Sequence, residues 1–178
     1  MSGVPVVVQY LAEGLLEKGY DVSICTKWYE GLSDKENING IHVYRFRLRK
    51  TLMKRYVGEI DSYRKFVLSL NADVVIFECS ECVTTDVLLR NLSQIKGKKI
   101  FHSHGFSGMR LLPFKWNVNL KYTLGNTYNW FRFKIYYSFT LKKYIKQFDE
   151  TICLSEMDSS KVCLLYTSPS PRDYAASR

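Results

Sequence analysis

The sequence predicts an α/β fold, in which a Rossmann-like parallel sheet carries flanking helices. Short β-branched or apolar runs alternate with helical runs over residues 1–162, which is the pattern of parallel βαβ units. Residues 74–77 are apolar without interruption, as in a parallel strand that is covered on both faces. An amphipathic helix near the start of the chain leads directly into a β-branched run. Together these observations predict helices packed against a buried sheet.

The first helix is predicted to run from Pro5 to Lys18. Proline fits the first helical position, and Gly19 fits the position just past the helix end. Apolar residues recur at helical spacing and define one buried face: Val7, Val8, Leu11, Ala12, Leu15 and Leu16. A strand over residues 21–26 follows this helix.

The remaining elements continue the alternation. Residues 30–40 are polar and rich in turn-forming residues, so we expect a loop there. The pattern predicts strands at 41–46, 74–77, 99–102 and 151–154, and helices over 50–70, 84–92 and 129–147.

The composition narrows the class of protein and its partners. The net charge of +9 indicates an anionic partner, namely nucleic acid, acidic lipid or a phosphorylated small molecule. Five cysteines without a paired framework favour reduced thiols, so we expect a cytoplasmic protein. No apolar run approaches the roughly 18 residues of a membrane-spanning helix.

Ser2, Gly3 and Val4 form a turn at the start of the first helix. Backbone N–H groups at a helix N-terminus can hold a phosphate. An ordinary helix start leaves the same N–H groups exposed, so both interpretations stay open.

Two histidines lie at the end of a predicted parallel strand, where open α/β sheets bind ligands. Imidazoles such as those of His102 and His104 can hydrogen-bond sugar hydroxyls or move a proton near neutral pH. We expect the two side chains to point to opposite faces, so that only one of them reaches a cleft. The alternative is one structural and one exposed histidine.

Cys79 and Cys82 form a Cys-x-x-Cys motif, which is compatible with a thiol oxidoreductase. Glu78 and Glu81 would disfavour the thiolate that this chemistry needs. A zinc site would have only half of its ligands. We therefore interpret the motif as small residues at a strand–helix turn, with the two glutamates available to bind hydroxyl groups.

The segment between Pro113 and Phe148 contains no acidic residue. Its mixed aromatic and basic side chains suit the surface of an anionic membrane. The residues proposed for this contact are Trp130, Lys134, Lys142, Lys143 and Lys146. The alternatives are a core helix with solvated lysines or a non-catalytic membrane-surface module. Nucleic acid is not expected, because the sequence contains no nucleic-acid-binding motif.

The end of the chain has an unusual sequence. The run CLLYTSPSPRD at residues 163–173 resembles a translated transposon-based sequencing adapter. We therefore expect a natural domain over residues 1–162 and a non-native tail over 163–178.

Four segments, in order, resemble family 4 glycosyltransferases, the retaining sugar transferases of the GT-B fold. They are the turn, helix and strand over residues 2–26, NADVV at 71–75, KIFHSHG at 99–105 and TICLSE at 151–156. The family has a glycine where this chain has Ser2, and it has a strand before that turn. The resemblance therefore implies an incomplete N-terminal, acceptor-side domain.

The resemblance also implies an activity. The intact protein would transfer a sugar from a nucleotide-sugar to a glycan or lipid-linked acceptor, with retention at the anomeric carbon. The nucleotide-sugar would be a co-substrate, and neither a metal nor another cofactor is expected. The family's Glu-x7-Glu donor site belongs to a second domain, so we expect this chain alone to be inactive.

The resemblance assigns roles to particular residues. Ser2, Gly3 and Val4 would approach the donor diphosphate. His104 would line the reaction cleft as the candidate catalytic residue, with Gly105 beside it. His102, Glu78 and Glu81 are the further acceptor-side candidates. A peripheral position at the inner face of the membrane would agree with a lipid-linked acceptor.

Overall fold

The computed structural model describes residues 3–51, 55–106 and 120–167. The chain divides into two compact units, Met1–Ile100 and Phe101–Arg178. The first unit contains α1 (Val4–Glu17), β1 (Ser23–Lys27), β2 (Lys35–Ile38), β3 (Ile41–Phe46), β4 (Leu48–Lys50), β5 (Tyr56–Gly58), α2 (Ile60–Ser69), β6 (Val74–Glu78), α3 (Val83–Asp86) and a 3₁₀ segment (Leu89–Gln94). Strand β7 (Lys98–Ser103) crosses the boundary, and the second unit continues with α4 (Leu120–Ile135), a π-helical segment (Tyr136–Leu141), α5 (Lys142–Ile145), β8 (Glu150–Cys153) and α6 (Glu156–Thr167).

The first helix confirms the sequence prediction. Pro5 occupies the first turn of α1, where its missing N–H costs no intrahelical hydrogen bond. Gly19 adopts a φ of +85° past the helix end, and its N–H donates to the Leu16 carbonyl at 2.9 Å. Ala12 on the inner face of α1 belongs to one buried cluster with Ile41 and Val43 of β3. The helix therefore packs on the sheet as its pattern predicts.

The first sheet has the order β1-β3-β2, and it includes a strand that the sequence analysis missed. Strand β1 pairs in parallel with β3, whose bounds match the predicted 41–46, and β2 pairs antiparallel with β3. The β2–β3 turn consists of Asn39 and Gly40, with φ values of +52° and +94°. An Asn-Gly pair with two positive φ angles is typical of a two-residue hairpin. The expectation of a loop over residues 30–40 is therefore wrong for its second half.

The predicted helix over residues 50–70 is wrong at the described residues before Ile60, namely 50–51 and 55–59, while residues 52–54 lie outside the described part of the chain. Strands β4 and β5 form an antiparallel hairpin there, and α2 begins only at Ile60. Gly58 has a φ of +107°, and a Cβ atom at this position would lie 1.9 Å from the Arg47 carbonyl oxygen. This backbone conformation suits glycine and excludes a helix through this position.

Aromatic side chains hold α2 against β3. The Tyr44 and Phe66 ring centroids lie 4.7 Å apart, and the Phe46 and Tyr63 centroids lie 5.2 Å apart. Such tilted and edge-on contacts add to the burial of apolar surface. On α2, Tyr63 is buried and Phe66 is half-buried, so their helical spacing marks the side of the helix that faces β3.

Strands β6, β7 and β8 form a parallel sheet in that order. Phe77 of β6 is buried, whereas Val74 at the start of the strand is 47% exposed. The prediction that β6 is buried on both faces is therefore wrong at its first residue, Val74. The predicted helix over 84–92 is also divided, into α3 and the 3₁₀ segment.

The second unit has an aromatic core around β7. The Phe101 ring lies 5.3 Å from the Phe148 ring and 6.5 Å from the Phe106 ring, measured between centroids. Tyr137 lies 5.8 Å from Phe106 in an edge-on contact. All four side chains are buried. This packing fixes the backbone on both sides of the β7 terminus.

The helix predicted over residues 129–147 is longer in the structure and changes its hydrogen-bonding pattern. It begins at Leu120 and passes through the π-helical segment into α5. Tyr137, Leu141 and Ile145 are buried at a spacing of four residues. One face therefore belongs to the core of the second unit, as the core-helix alternative predicts. Among the described residues, no helix combines the length and the apolar character needed to cross a membrane.

Candidate functional site

The carboxyl end of β7 carries the two histidines of the KIFHSHG segment. His102 is buried, and His104, just past the strand, is half-buried. Their ring centroids lie 4.4 Å apart. Alternate residues of a strand share one face, so the expectation that the two side chains point to opposite faces is wrong. The two imidazoles form one packed pair, and His104 is the more accessible member.

Gly105 allows the chain to turn immediately after His104. Its φ of +99° lies in the region that glycine adopts without steric cost. The Gly105 N–H donates to Ser103 Oγ at 3.2 Å, and the buried Phe106 anchors the far side of the turn. The chain is therefore anchored by buried residues before and after the turn, Ser103 and Phe106, while His104 itself is half-buried.

The start of α6 places a carboxylate beside this turn. A Cβ atom added to Gly105 would lie 3.7 Å from Asp158 Oδ2. Ser155 Oγ donates to Asp158 Oδ2 at 2.9 Å and accepts from the Asp158 N–H at 3.2 Å. These two bonds cap the first turn of α6. They hold the Asp158 carboxylate, whose residue is only 4% exposed, close to Gly105.

Asp158 was not among the site residues predicted from the sequence. The signal was present, because Ser155 and Asp158 have the spacing of an N-terminal helix cap. The carboxylate also affects a neighbouring thiol. Burial, followed by the negative charge of Asp158, raises the pKa of Cys153.

The loop after β6 holds the acceptor-side candidates of the first unit. Glu78 and Glu81 are both half-buried. Cys79 and Glu81 adopt φ values of +64° and +65°, which are uncommon for residues with a side chain. Thr85 Oγ1 donates to the Glu78 carbonyl at 3.1 Å, and Lys50 Nζ donates to the Glu81 carbonyl at 3.4 Å. These bonds hold the loop in its strained conformation.

The Cys-x-x-Cys motif has a structural role in this loop. Cys79 and Cys82 are not joined by a disulfide bond. The Cys82 thiol donates to the Glu78 carbonyl, with Sγ and O separated by 3.3 Å, and it lies 3.3 Å from Thr84 Oγ1. The motif therefore forms a strand–helix turn, as the sequence analysis interprets it.

The start of α1 is a bare helix N-terminus in the described part of the chain. Gly3 has a φ of +82°, and its carbonyl accepts from Val6 N–H at 3.1 Å and Val7 N–H at 3.4 Å. No acidic residue lies in the first helical turn. Ser2 lies outside the described residues, so of the three donor-side candidates only Gly3 and Val4 are placed.

The residues proposed for a membrane surface lie on α4, α5 and the turn after α5. Lys134 Nζ lies 4.9 Å from the centroid of the Trp130 ring, and Lys143 Nζ lies 5.3 Å from that of Tyr144. Lys134, Lys143 and Lys146 are exposed, while Lys142 is half-buried. The basic side chains thus extend over aromatic rings at the surface of the helices.

Comparison with family models gives a match that covers nearly the whole chain. The family model Glycosyltransferase Family 4 matches residues 1–171. No curated protein and no solved structure matches the chain.

Proposed function

Because the chain belongs to glycosyltransferase family 4, we propose that it forms the acceptor-side domain of a retaining transferase. The enzyme would move a sugar from a nucleotide-sugar to a glycan or a lipid-linked acceptor. The family match identifies a glycosyltransferase N-terminal domain of GT-B type. Donor, acceptor, stereochemistry and hexosyl specificity belong to the proposal.

The observation that carries this proposal is the setting of His104. Its imidazole is accessible at the carboxyl end of a parallel strand, where α/β sheets bind their ligands. Burial on both sides, at Ser103 and Phe106, restricts the backbone that carries it. A positioned imidazole can exchange hydrogen bonds with a sugar hydroxyl and can carry a proton at neutral pH. We assign His104 to the reacting hydroxyl, with Gly105 leaving space for the sugar.

The other candidates take supporting roles. The backbone N–H groups that follow Ser2, Gly3 and Val4 at the start of α1 would bind the donor diphosphate, because a helix N-terminus attracts anions. The carboxylates of Glu78 and Glu81 would accept hydrogen bonds from acceptor hydroxyls. His102 would support His104 through their ring contact. The chemistry assigned to these groups uses no metal.

Binding of acceptor glycans tests this proposal. We would probe an array of free and lipid-pyrophosphate-linked oligosaccharides with the fluorescently labelled chain. We expect a defined set of glycans to bind, and His104→Ala to weaken that binding at least ten-fold. His42→Ala is the matched control, since His42 is exposed on β3 of the other unit. The absence of any bound glycan, or equal loss in both variants, would contradict the proposal.

The cellular position of the enzyme follows from its acceptor. We place the enzyme at the periphery of a membrane, on its cytoplasmic face, where it would reach a lipid-linked acceptor. A non-catalytic membrane module is not needed to explain this position, because the basic and aromatic helices can serve a transferase domain equally well.

A further inference from the structure

We propose that the turn after β1 forms a binding subsite for a neutral sugar ring in the first unit. The subsite consists of the aromatic rings of Trp28 and Tyr29 and the charged side chains of Asp34, Arg47 and Glu59. It deepens the proposed function and rests on it in one respect, because the class of ligand is the glycan of that proposal. None of these five residues is among the site residues predicted from the sequence.

The subsite lies where two parallel strands end. Lys27 and Phe46 are partners as the last residues of β1 and β3, and the Trp28 N–H donates to the Phe46 carbonyl at 2.8 Å. Trp28 and Arg47 are the residues that follow these two strand ends. Both therefore lie at the carboxyl edge of the sheet, where open α/β sheets bind their ligands.

A tight turn fixes the positions of the two aromatic residues. The Leu32 N–H donates to the Tyr29 carbonyl at 3.2 Å, and Gly31 has a φ of +83°. A glycine with positive φ is typical of the third residue of a type II turn. The Trp28 indole Nε1–H donates to the Leu32 carbonyl at 2.7 Å. Because the turn and the indole hold each other in place, little conformational entropy remains to be lost when a ligand binds.

Arg47 packs on the indole and is itself fixed by carboxylates. Its guanidinium carbon lies 4.9 Å from the Trp28 ring centroid. Its two terminal nitrogens contact the two carboxylate oxygens of Asp34 at 2.9 and 3.1 Å, which is a bidentate pair. A Glu59 carboxylate oxygen lies 3.7 Å from one of these nitrogens. The three charged side chains are 41–54% exposed, so a ligand in solution can reach them.

Tyr29 presents an aromatic ring beside these polar groups. The residue is 59% exposed, and Lys27 Nζ lies 5.0 Å from the ring centroid. A sugar ring carries C–H groups on its faces and hydroxyls at its edge, so it can pack on an aromatic ring while its hydroxyls form hydrogen bonds. The carboxylates of Asp34 and Glu59 would accept from these hydroxyls, and the guanidinium of Arg47 would donate to them.

The charges of the subsite favour a neutral ligand. Residues 27–35 include two lysines and two acidic residues, and Arg47 and Glu59 add one charge of each sign. The subsite is therefore locally balanced, although the whole chain has a net charge of +9. An anionic ligand would meet the two carboxylates, and like charges across an interface oppose binding. A neutral polyhydroxyl ring can use the donors and the acceptors together.

An NMR titration of the ¹⁵N-labelled 178-residue chain tests the proposal. The probes are the methyl glycosides of glucose, galactose, mannose and N-acetylglucosamine, and the 6-phosphate of the same sugar serves as the charged comparison. We expect the Trp28 indole N–H signal, assigned through Trp28→Phe, to shift saturably with at least one neutral glycoside. Added salt should leave this binding unchanged, because the ligand carries no charge to be screened. The 6-phosphate should bind about ten-fold more weakly.

Matched variants separate the subsite from general effects. Tyr29→Ala should weaken glycoside binding about ten-fold, because it removes the ring on which the sugar packs. Tyr20→Ala changes a tyrosine that is 60% exposed in the same unit but lies outside the subsite, so it should bind as the unchanged chain does. His104→Ala should leave the Trp28 response unchanged. Far-UV circular dichroism checks that each variant is folded.

Three results would overturn the proposal. The first is a Trp28 signal that no neutral glycoside shifts. The second is equal loss of binding in Tyr29→Ala and Tyr20→Ala, and the third is tighter binding of the 6-phosphate than of the neutral glycoside.

The outcome is separable from that of the glycan array. Glycan binding that His104→Ala abolishes, together with an unresponsive Trp28 signal, contradicts the subsite alone. A saturable Trp28 response, together with equal loss of array binding in His104→Ala and His42→Ala, supports the subsite and contradicts the proposed role of His104.

Discussion

The chain leaves β6 and β7 through sharp turns that are built from different residues. The turn after β7 uses Gly105, with a φ of +99°, whereas the turn after β6 uses Cys79 and Glu81, with φ values of +64° and +65°. Glycine adopts this conformation without steric cost, but residues with a Cβ atom do not. The β7 turn is therefore relaxed and intolerant of side chains, while the β6 turn stores strain.

The hydrogen bonds around the β6 turn explain how the strain is maintained. Both carbonyls at its ends accept from side chains, Glu78 from Thr85 and Glu81 from Lys50. Tyr63 Oη donates to the Thr84 carbonyl at 2.9 Å and fixes the start of α3. Strained residues held in this way are concentrated at ligand-binding sites. This comparison supports the assignment of Glu81 to the acceptor side.

The largest expected effect is at the β7 turn. Gly105→Ala should destabilise the chain by about 2 kcal/mol, because alanine does not tolerate the left-handed backbone. Urea unfolding measures the change. Gly125→Ala is the control, since this helical glycine has open space around its Cβ position and alanine should stabilise α4 by about 0.5–1 kcal/mol. Equal stability of the Gly105 variant and the unchanged chain would show that the turn is not constrained.

Alkaline pH should weaken the unit that holds the strained turn. Burial raises the pKa of Cys25 from 9.0 to about 12. Between pH 9.0 and about 12 the thiol stays protonated in the folded state but ionises in the unfolded state. Its contribution to the free energy of unfolding is therefore complete below pH 9 and is lost as the pH rises toward 12. Between pH 8 and pH 10 we expect a loss of about 1.4 kcal/mol from this group.

Urea unfolding at the two pH values measures this loss, and Cys25→Ala provides the comparison. The variant should show a smaller decrease in its free energy of unfolding between the same pH values. If the free energy of unfolding falls equally in the variant and in the unchanged chain, the loss of stability does not come from Cys25.

A smaller effect of opposite sign is expected at the β6 turn. Glu81→Gly should stabilise the chain by about 1 kcal/mol, because it removes the strain of a positive φ while Lys50 still reaches the backbone carbonyl. Glu30→Gly, in an exposed loop, should be slightly destabilising through the greater freedom of the unfolded chain. If both variants lose stability equally, Glu81 is not strained.

The same two turns indicate what the sequence can predict about the site. The end of β7 was recognisable because histidine and glycine follow an apolar strand, and the glycine has a clear backbone role. The strain at Cys79 and Glu81 was not recognisable, since neither residue type signals a positive φ. Asp158 was overlooked although its spacing from Ser155 predicts a helix cap.

The elements that could be predicted are those in which the spacing of apolar residues in the sequence matches their burial in the structure. Strand β3 and helix α1 follow from alternation and helical spacing, and the Asn39-Gly40 pair should have revealed β2. The helix predicted over 50–70 failed because Gly58 lies against the Arg47 carbonyl, a tertiary contact that apolar spacing does not report. The exposure of Phe131 and Phe139 was likewise not predictable, because spacing alone does not tell which side of a helix faces the core.

The predicted adapter origin of residues 163–178 remains a prediction. Helix α6 continues through Thr167, and the family match extends to residue 171. Resequencing of the source locus across codon 163 would decide it.

The measurement that tests the central claim most directly is NMR detection of the three histidine rings during titration with a glycan selected on the array. We expect the imidazole signals of His104 and of its ring neighbour His102 to shift together and saturably, and that of His42 to stay unchanged. Shifts confined to His42, or no shift of any ring at saturating glycan, would contradict the placement of the acceptor at the end of β7.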